Sequence, residues 1–539
     1  KMRKVSGNMA MVAAVLAVMV AMPTFAGEVI HPQQVLQLNR FAETPPMSEY
    51  VAPKPAEGLE NREIPNRPAT ELPTLPGATP PDQIMGEGFI SPDSGVLAPA
   101  PIIGFDGNNS DDNQAVIGFR LAPPDTQGAV GMQYYVQWVN LTWSVYDKAT
   151  GAEVMGPLPG NSLWAAGMPG SACANNNDGD PITLYDHAAG RWFMSQFALP
   201  GPFYTCLAVS QTSDPTGAWY VWEYNYGSLM TDSPKFGVWP DGYYMTVNEF
   251  GSGQSATTVF DRTAMLAGDA TPGAQYFYIE GVQPSFPQPT NWNGGEAPPA
   301  GSPNYNAAFY DDAWGNPADI IQICELSIDW ATPGNSAFTC PVDPGDPGYL
   351  DLTAIGLSFD SSLCAIGGRD CIPQPNGQYI DSLSNRFMFP MNYRNLMATL
   401  GYEVMTVTHS VDVDGSNWGG MRWYELRNTG SGWFVADGGT FAPDSDHRWM
   451  GSSAVDMNGN IGLVYSISSD TTFPSVGYTA RLATDPAGTM QTEQVLVAGG
   501  GSQGSVNRWG DYAAMHMDPD GCTFWGTAEY VATGGAWIW

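Results

Sequence analysis

Two segments, Arg448–Asp456 (RWMGSSAVD) and Arg508–His516 (RWGDYAAMH), repeat one pattern along this chain. In each segment an Arg-Trp pair is followed by small residues and a turn-forming Gly or Asp. An aromatic or β-branched strand comes next, Ile461–Ser466 after the first copy and Thr523–Tyr530 after the second. A turn followed by a short apolar strand is typical of antiparallel β-structure. The repetition indicates an architecture built from copies of one unit.

Outward from this pair, five further copies can be traced. They begin at Asp125 (DTQGAVGMQYYVQW), Asp180 (DPITLYDHAAGRWF), Lys235 (KFGVWPDGYYM), Asp319 (DIIQIC) and Leu383 (LSNRFMF). Most successive starts lie about 55 to 75 residues apart, which is the length of a four-stranded sheet with its loops, and the interval from Lys235 to Asp319 is longer. The sequence therefore predicts an all-β protein with a single β-propeller of about seven four-stranded blades, with six or eight also compatible. A β-sandwich is the alternative, but it gives no reason for the repeat.

The last copy leaves too few residues for four strands. We therefore expect an early strand near Val116–Leu121 to complete the ring. Helical periodicity is almost absent, and the exception is a helical turn expected at Arg262–Ala267.

The N-terminal hundred residues differ from the rest. Residues 1–26 have a cationic start, an apolar run at Met9–Met22 and a small residue before Gly27, which is the layout of a secretory signal peptide. A retained anchor is the alternative, but the run is short for a membrane span. Residues 27–100 read as a proline-rich leader or linker, and residues 101–539 as the propeller domain. We expect a secreted protein, extracellular or periplasmic.

The charge balance is strongly acidic, with 54 Asp and Glu against 20 Lys and Arg and a net charge of −34. Such a field repels nucleic acid and anionic lipid, so we expect neither as a partner and no membrane insertion of the mature chain. Solubility alone explains much of this charge.

Acidic loops at Asp106–Asp112, Asn175–Asp180 and Asp412–Asn417 offer the oxygen ligands that Ca²⁺ prefers. Ordinary Asx turns explain the same residues. The sequence thus requires no cofactor, leaves a structural Ca²⁺ open and identifies no metal ligand with certainty.

Seven cysteines in an exported chain indicate disulfide bonds. The pairs that could close loops are Cys364 with Cys371, Cys324 with Cys340, and Cys173 with Cys206, which leaves Cys522. Spacing alone does not fix this connectivity, and it does not match the paired spacing of a zinc site.

Several turns resemble the Asp-box of sialidase-type (BNR) propellers. They are Thr212–Tyr220 (TSDPTGAWY), Asp518–Phe524 (DPDGCTF) and, more loosely, Asp186–Trp192. The resemblance implies that the Asp binds turn amides and the aromatic residue packs between sheets, so these residues are architectural. The chain is also similar to uncharacterised secreted bacterial propeller proteins through Pro123–Thr126, Lys235–Asp241 and Asn507–Tyr512, a similarity that implies no activity.

The first residue of each copy is expected near one mouth of the propeller channel, where loops from all blades converge. The proposed ring contains Asp125, Asp180, Lys235, Arg386 (three residues into the copy that begins at Leu383), Arg448 and Arg508, with Asp511 and Tyr512 just beyond. Converging guanidinium groups suit a carboxylate ligand, so Arg386, Arg448 and Arg508 are the predicted substrate-binding residues. Alternatively, these arginines pack on their neighbouring tryptophans.

The resemblance to sialidases implies arginines that hold the substrate carboxylate, a tyrosine–acid pair and an aspartate that transfers protons. On that basis the predicted catalytic residues are Asp125, Asp511 and Tyr512. Two function classes remain open. The first is a carbohydrate-active enzyme on acidic glycans, a sialidase-like glycoside hydrolase or a polysaccharide lyase. The second is a non-catalytic propeller that binds glycan or protein at the cell surface.

Overall fold

The computed structural model describes residues 28–36, 38–56, 58–64, 90–251, 254–279, 287–364, 369–375, 377–384, 386–536 and 539. The predicted signal peptide, residues 1–26, lies outside these residues. Strands account for 46 % of the structure and helices for 7 %, so the protein is nearly all-β. Among the described residues, none of the helices is long and apolar enough to cross a membrane.

The N-terminal part contributes short strands that pair with distant sheets. Its elements are β1 (Glu28–Ile30), β2 (Gln34–Val35), β3 (Leu38–Glu43), a 3-10 turn (Met47–Glu49), β4 (Arg62–Glu63), β5 (Asp93–Leu97), α1 (Ser110–Ile117) and β6 (Leu121–Ala122).

Three antiparallel sheets follow, here named blades A, B and C. Blade A contains β7 (Thr126–Val130), β8 (Tyr134–Val139), β9 (Thr142–Asp147) and β10 (Glu153–Pro159), and α2 (Ser162–Gly167) and α3 (Ala172–Asn175) follow it. Blade B contains β11 (Ile182–Asp186), β12 (Arg191–Ala198), β13 (Phe203–Ser210) and β14 (Trp219–Gly227). Blade C contains β15 (Met230–Val238), β16 (Gly242–Phe250), β17 (Gln254–Asp261) and β18 (Ala274–Ile279), with α4 (Arg262–Leu266) before its last strand. Helix α4 confirms the predicted helical turn.

A ten-stranded sheet, here named the double sheet, comes next. Its first half is β19 (Gln288–Trp292), β20 (Asn304–Tyr310), β21 (Ile320–Ser327), β22 (Ala337–Cys340) and β23 (Tyr349–Asp351), with 3-10 turns at Asp312–Trp314 and Pro333–Asn335. The hairpin β24 (Asp370–Ile372) and β25 (Ile380–Asp381) separates it in sequence from the second half, β26 (Met391–Leu396), β27 (Tyr402–Asp412), β28 (Gly419–Asn428) and β29 (Trp433–Phe441). The halves join because β19 and β26 pair in parallel.

The C-terminal part holds one more four-stranded sheet, blade D, and a final hairpin. Blade D contains β30 (His447–Val455), β31 (Ile461–Ser468), β32 (Ser475–Arg481) and β34 (Gln494–Val497), and β33 (Met490–Thr492) pairs with β5. The last elements are β35 (Gln503–Gly504), β36 (Ala514–Met517), β37 (Phe524–Thr527) and β38 (Gly535–Ala536), of which β36 and β37 form the final hairpin.

These sheets form a β-propeller arrangement in which four separate blades, A to D, are distinct. The first strands are neighbours in a ring: β7 contacts β11, which is followed by β15, β19, β26, β30 and β36, and β36 returns to β7. The expected strand near Val116–Leu121 is wrong, because Asn109 caps Asp111 and Asp112 and so starts helix α1 there. The expected start at Asp319 is also wrong, since it precedes β21, a third strand and not a first one.

The segment 28–43, here named the belt, covers the outer edges of three sheets. Strand β1 pairs with β22 of the double sheet, β2 with β18 of blade C, and β3 with β14 of blade B, all antiparallel. Each pairing supplies partners to edge amides and carbonyls that would otherwise face solvent.

Aromatic side chains fill the space between the blades. The largest fully buried side chains include ten tryptophans: Trp138, Trp143, Trp164, Trp192, Trp219, Trp222, Trp239, Trp423, Trp449 and Trp509. The Asp-box-like turns carry part of this packing. In the turn between β13 and β14, Asp214 accepts the backbone N–H of Thr216 (2.9 Å), and Trp219 is fully buried beside it.

Three disulfides are present, Cys173–Cys206, Cys324–Cys340 and Cys364–Cys371, which confirms the pairs considered above. Cys522 is free and exposed. Disulfides persist in oxidising compartments, so they indicate an extracellular or similarly oxidising environment.

Asparagine side chains join the first strands near the axis. Asn392 Nδ2 on β26 donates to the carbonyls of Ser453 on β30 (2.7 Å) and Met515 on β36 (2.8 Å). Its Oδ1 accepts from Asn291 Nδ2 on β19 (3.3 Å), and Asn291 Oδ1 accepts the N–H of Val238 on β15 (3.2 Å). Two amides therefore connect five neighbouring first strands.

We expect Asn392→Ala to lower the free energy of unfolding by about 2–4 kcal/mol, because two buried carbonyls lose their donor. The measurement is urea unfolding followed by tryptophan fluorescence. Asn395→Ala is the matched control, since its two side-chain hydrogen bonds, to the carbonyl of Ala297 and from the N–H of Met397, are exposed to solvent, and it should cost less than about 1 kcal/mol. Equal losses in the two variants would contradict the bridging role.

Candidate functional site

The backbone takes a left-handed conformation just before several first strands, or at a register shift within them. The non-glycine residues with positive φ at these points are Asp125 (46°), Asp180 (46°), Ser233 (52°), Met450 (53°) and Asp511 (59°). This conformation is uncommon outside glycine, and Asp tolerates it better than most residues. Such strain is concentrated at functional sites in many proteins. Since the first strands all enter the ring from the same side, these residues lie around one mouth, here named the entry mouth.

Two carboxyl groups at the entry mouth, those of Asp125 and Asp180, have raised pKa values. Asp125 is 3 % exposed, and its Oδ2 accepts from Asn140 Nδ2 (3.0 Å). Burial, reinforced by the charges of Asp180 and Asp511, raises the pKa of Asp125 well above its usual range. Burial and the charge of Asp232 raise the pKa of Asp180 to about 7, although the N–H of Ser233 donates to its Oδ2 (2.8 Å).

Two cations lie beside these acids. Burial and then the charge of Arg386 lower the pKa of Lys235 to about 7, with the nearby aspartates opposing the change. The Lys235 ammonium donates to Ser233 Oγ (3.1 Å) and lies 3.5 Å from the ring centre of Tyr512. Arg386 Nη1 donates to the same Ser233 Oγ (2.8 Å). Ser233 therefore holds both cations next to Asp180.

A second layer of ion pairs supports the mouth. Arg508 Nε binds Asp381 Oδ2 (2.9 Å) and its Nη2 pairs with Asp511. Arg369 Nη2 binds Asp511 Oδ1 (2.8 Å) and Asp381 Oδ2 (3.1 Å). Burial alone would raise the pKa of Asp511, but Arg508 and Arg369 outweigh it and hold that pKa well below its usual value. Asp511 is therefore ionised, in contrast to Asp125.

This arrangement can exchange protons near neutral pH. Asp180 and Lys235 have pKa values of about 7, and groups with such values are efficient general acids and bases. Asp180, Ser233 and Asp511 also keep part of their surface exposed, so solvent reaches the cluster. A cluster of titratable groups with shifted pKa values, at a mouth that solvent can reach, is a candidate active site.

Of the predicted catalytic residues, Asp125 and Asp511 lie in this cluster, and Tyr512 lies beneath it. Tyr512 is 2 % exposed and its hydroxyl donates to the carbonyl of Pro234 (3.3 Å). Burial and then the charges of Asp180 and Asp125 raise its pKa well above the usual value, so its phenol is neutral.

Of the predicted substrate-binding arginines, Arg386 and Arg508 reach the cluster. Arg448 is engaged elsewhere: its Nε and Nη2 bind Glu493 (3.0 Å each) and its Nη1 binds Asp444 (2.6 Å). The reason is a register shift in β30 between Trp449 and Ser452, which brings Met450 to the turn that opens the inner part of that strand. The three arginines therefore do not converge.

Sequence reasoning missed Arg369, Asp381, Asp232 and Ser233. Ser233 could have been found, because Ser233-Pro234 lies at the register shift within β15 in the same way as Asp180-Pro181 lies just before β11. Aligning the copies on these prolines, and not on Lys235, gives the correct register. Arg369 and Asp381 lie in an irregular part of the chain between the halves of the double sheet, which has no periodic signal.

In each of the loops considered for Ca²⁺, at least one carboxylate accepts a backbone N–H. Asp412 accepts the N–H groups of Asp414 (3.2 Å), Gly415 (3.0 Å) and Asn417 (2.8 Å). Separately, oxygens of Asp311, Asp312 and Asp319 lie within 4.8 Å of one another, a group that the sequence analysis did not select. Asp311 and Asp319 also accept backbone N–H groups. Calcium stays a prediction.

No family pattern and no curated protein matches this sequence. Solved structures with a similar course of the chain include the SapL1 lectin in complex with alpha methyl fucoside (10 % identity, 70 % of this chain and 96 % of that chain, TM-score 0.33). A second is a polysaccharide lyase, PL25 ulvan lyase (12 % identity, 83 % of this chain and 96 % of that chain, TM-score 0.32). A third is an endo-arabinase from Bacteroides thetaiotaomicron (12 % identity, 57 % of this chain and 95 % of that chain, TM-score 0.24). At these TM-scores the likeness carries no functional argument, so function must be argued from the entry mouth.

The raised pKa of Asp180 predicts a pH-dependent effect of Asp180→Asn. Below about pH 4 the carboxyl is protonated in both the folded and the unfolded chain. Between about pH 4 and 7 it ionises only in the unfolded chain, so wild-type stability falls as pH rises, and above pH 7 this loss is complete. The amide does not titrate. The Tm of Asp180→Asn relative to wild type should therefore increase from pH 4 to 7 and stay constant above it.

The check is differential scanning calorimetry at four pH values from 4 to 8.5, at constant ionic strength. Each kcal/mol of relieved penalty corresponds to about 1 °C in a protein of this size. Asp470→Asn, on the exposed surface, is the control and should show no such increase. A constant difference for Asp180→Asn at all pH values would contradict the assignment.

Proposed function

We propose that this protein is a carbohydrate-active propeller whose entry mouth cleaves an acidic glycan, by hydrolysis or by lyase elimination. The observation that supports it most is the pairing of two carboxyl groups of raised pKa, Asp125 and Asp180, with the buried cations Lys235 and Arg386. Glycoside hydrolysis uses one protonated and one ionised carboxyl group, and Asp180 and Asp511 supply these two states. The cations suit the carboxylate or sulfate of an acidic sugar.

The protonation state of each residue at the entry mouth determines its proposed catalytic role. Asp180 is partly protonated near neutral pH and partly exposed, so it is the proton donor to a leaving oxygen. In an elimination, Lys235 in its neutral form is the base that removes the proton next to the sugar carboxylate. Asp511 stays ionised and orients Arg508 and Arg369. We assign no nucleophilic role to Tyr512, because its hydroxyl is bound to a carbonyl.

An apolar groove on the same side of the ring as the entry mouth supports a sugar ligand. It has a volume of about 460 Å³ and is lined by Leu199, Pro200, Phe203, Ser228, Met230, Phe250 and Gly251. Met230 opens β15, the strand that also carries Lys235, so the groove lies on the same side of the ring as the entry mouth. Phenyl rings pack against the C–H faces of sugars, and a mainly apolar groove with nearby polar groups is typical of ligand sites.

A non-catalytic glycan-binding propeller is the second candidate. It is favoured by the mutual ion pairing of Arg508, Arg369, Asp381 and Asp511, which leaves the mouth rigid. A rigid, preformed mouth binds ligands at low entropic cost without any need for turnover.

The test is a screen of the purified protein on polygalacturonate, alginate, chondroitin sulfate and laminarin, following reducing ends and absorbance of unsaturated products. On the substrate that is turned over, Asp180→Asn should lower kcat by at least about 100-fold, because general acid–base catalysis contributes about 10²–10⁴. Asp470→Asn should keep wild-type activity. If no substrate is turned over, and both the wild type and Asp180→Asn bind a glycan, the proposal of an enzyme is wrong and the non-catalytic glycan-binding propeller is supported.

We also propose that the ring has seven blades, with each half of the double sheet as one blade and the final hairpin as a small seventh. This is supported by the ring of seven first strands from β7 to β36 and by the packing of β36 against both β30 and β7. An experimental density map should show seven radial sheets around one axis. A map with β36 outside the ring would contradict this number.

A further inference from the structure

The ends of the first strands meet at the opposite mouth, here named the exit mouth, which has its own polar cluster. His187 follows β11, Asn293 follows β19, Arg394 lies on β26 and His516 on β36. The parallel register pairs Trp292 with Tyr393, so Asn293 and Arg394 are the next neighbours along it. None of these four residues belongs to the entry mouth.

Arg394 is a buried cation without a matching anion. It is 3 % exposed, its Nη1 donates only weakly to the carbonyl of Asn293 (3.3 Å), and its Nε has no hydrogen-bond partner. Among the described residues no carboxylate lies within ion-pair distance of it, and the nearby Asp456 accepts from Asn458 and Asn460 instead. A buried charge is normally paired, since removing it from water is costly.

The polar groups around Arg394 also lack partners. Asn293 is 1 % exposed, and its side-chain amide lies beside the His187 ring without forming a hydrogen bond of normal geometry. Nε2 of His516, which is 3 % exposed, has no hydrogen-bond partner. Burial lowers the pKa of His516 to about 3, and burial followed by the charge of Arg394 lowers that of His187 to about 4. Both imidazoles are therefore neutral at physiological pH and can each donate one N–H. Buried groups of this kind normally have a partner.

Glycines approach these groups closely, and side chains at the glycine positions would collide with them. A Cβ on Gly294 would lie 2.9 Å from His187 Nδ1, and one on Gly295 would lie 2.8 Å from Arg394 Nη2. A Cβ on Gly521 would lie 3.2 Å from the same Nη2. Gly294, Gly295 and Gly521 all have positive φ, so other residues are disfavoured there on two grounds. His187 keeps exposed surface and connects the cluster to solvent.

We propose that the exit mouth binds a small oxyanion, the carboxylate, sulfate or phosphate group of a ligand, through Arg394 with Asn293, His187 and His516. The guanidinium supplies the charge and a fork of N–H donors. The amide and the neutral imidazoles add uncharged donors, so a single anion neutralises the site and satisfies groups that are otherwise unpaired. This site is independent of the proposed activity at the entry mouth.

The test compares sodium sulfate, sodium phosphate and sodium acetate with sodium chloride at equal ionic strength, measuring Tm and, by calorimetric titration, affinity. We expect at least one oxyanion to raise the wild-type Tm more than chloride does. Arg394→Gln should weaken its affinity at least tenfold. Arg427→Gln is the matched control, because Arg427 already pairs with Glu425 and lies away from the mouth, and it should bind as wild type does. Sulfate also stabilises proteins non-specifically, but that effect is equal in all variants.

Asn293→Asp provides a second test of oxyanion binding if Arg394→Gln does not fold. It places a carboxylate beside Arg394, so it should raise the Tm without added salt and abolish the specific oxyanion effect. A preference for sulfate and phosphate over acetate would identify a tetrahedral ligand group, and the reverse a carboxylate. An oxyanion effect that is absent in wild type, or undiminished in both variants, would overturn the proposal.

Discussion

The structure depends on how the first strands of the sheets are joined around one axis. Each first strand presents backbone groups to its neighbours, and at the axis the strands converge too closely for large side chains. The close approach is visible at Gly237, where a Cβ would lie 2.1 Å from the carbonyl oxygen of Thr290 on the next first strand. Asn392 and Asn291 provide donors and acceptors that span such gaps. Without these amides the converging carbonyls would be buried and unsatisfied.

The same convergence produces the two mouths and their opposite electrostatic character. All first strands run in one direction, so their starts meet at the entry mouth and their ends at the exit mouth. At the entry mouth, aspartates, Lys235 and arginines are buried together, and their pKa values separate into protonated Asp125 and ionised Asp511. At the exit mouth, neutral imidazoles surround a single guanidinium. Among the described residues, both mouths thus hold buried guanidinium groups, but only those of the entry mouth form ion pairs with carboxylates.

The sequence predicts the architecture better than the site. Aromatic strands and Asp-containing turns are local signals, and they are repeated, so the propeller can be recognised. Asp319-Ile-Ile-Gln-Ile-Cys has the same apolar pattern as a first strand, because third strands are also buried on both faces. The Arg-Trp pair misplaces the register at Arg448, since a bulge of the backbone leaves no mark on a local pattern. Arg369 and Asp381 reach the entry mouth by tertiary contacts alone, which no spacing in the sequence records.

The belt sets an order of events for the folding chain. Glu28 pairs with Cys340, so strand β1 must wait for a partner synthesised on the order of 300 residues later. Strands β2 and β3 likewise need blades C and B to exist first. During translation, which runs from the N-terminus, the earliest part of the described chain is therefore among the last to find its place. Until the belt is in place, three sheet edges can pair with strands of other chains. Binding of the belt therefore ends the stage of folding at which this chain is most prone to aggregate.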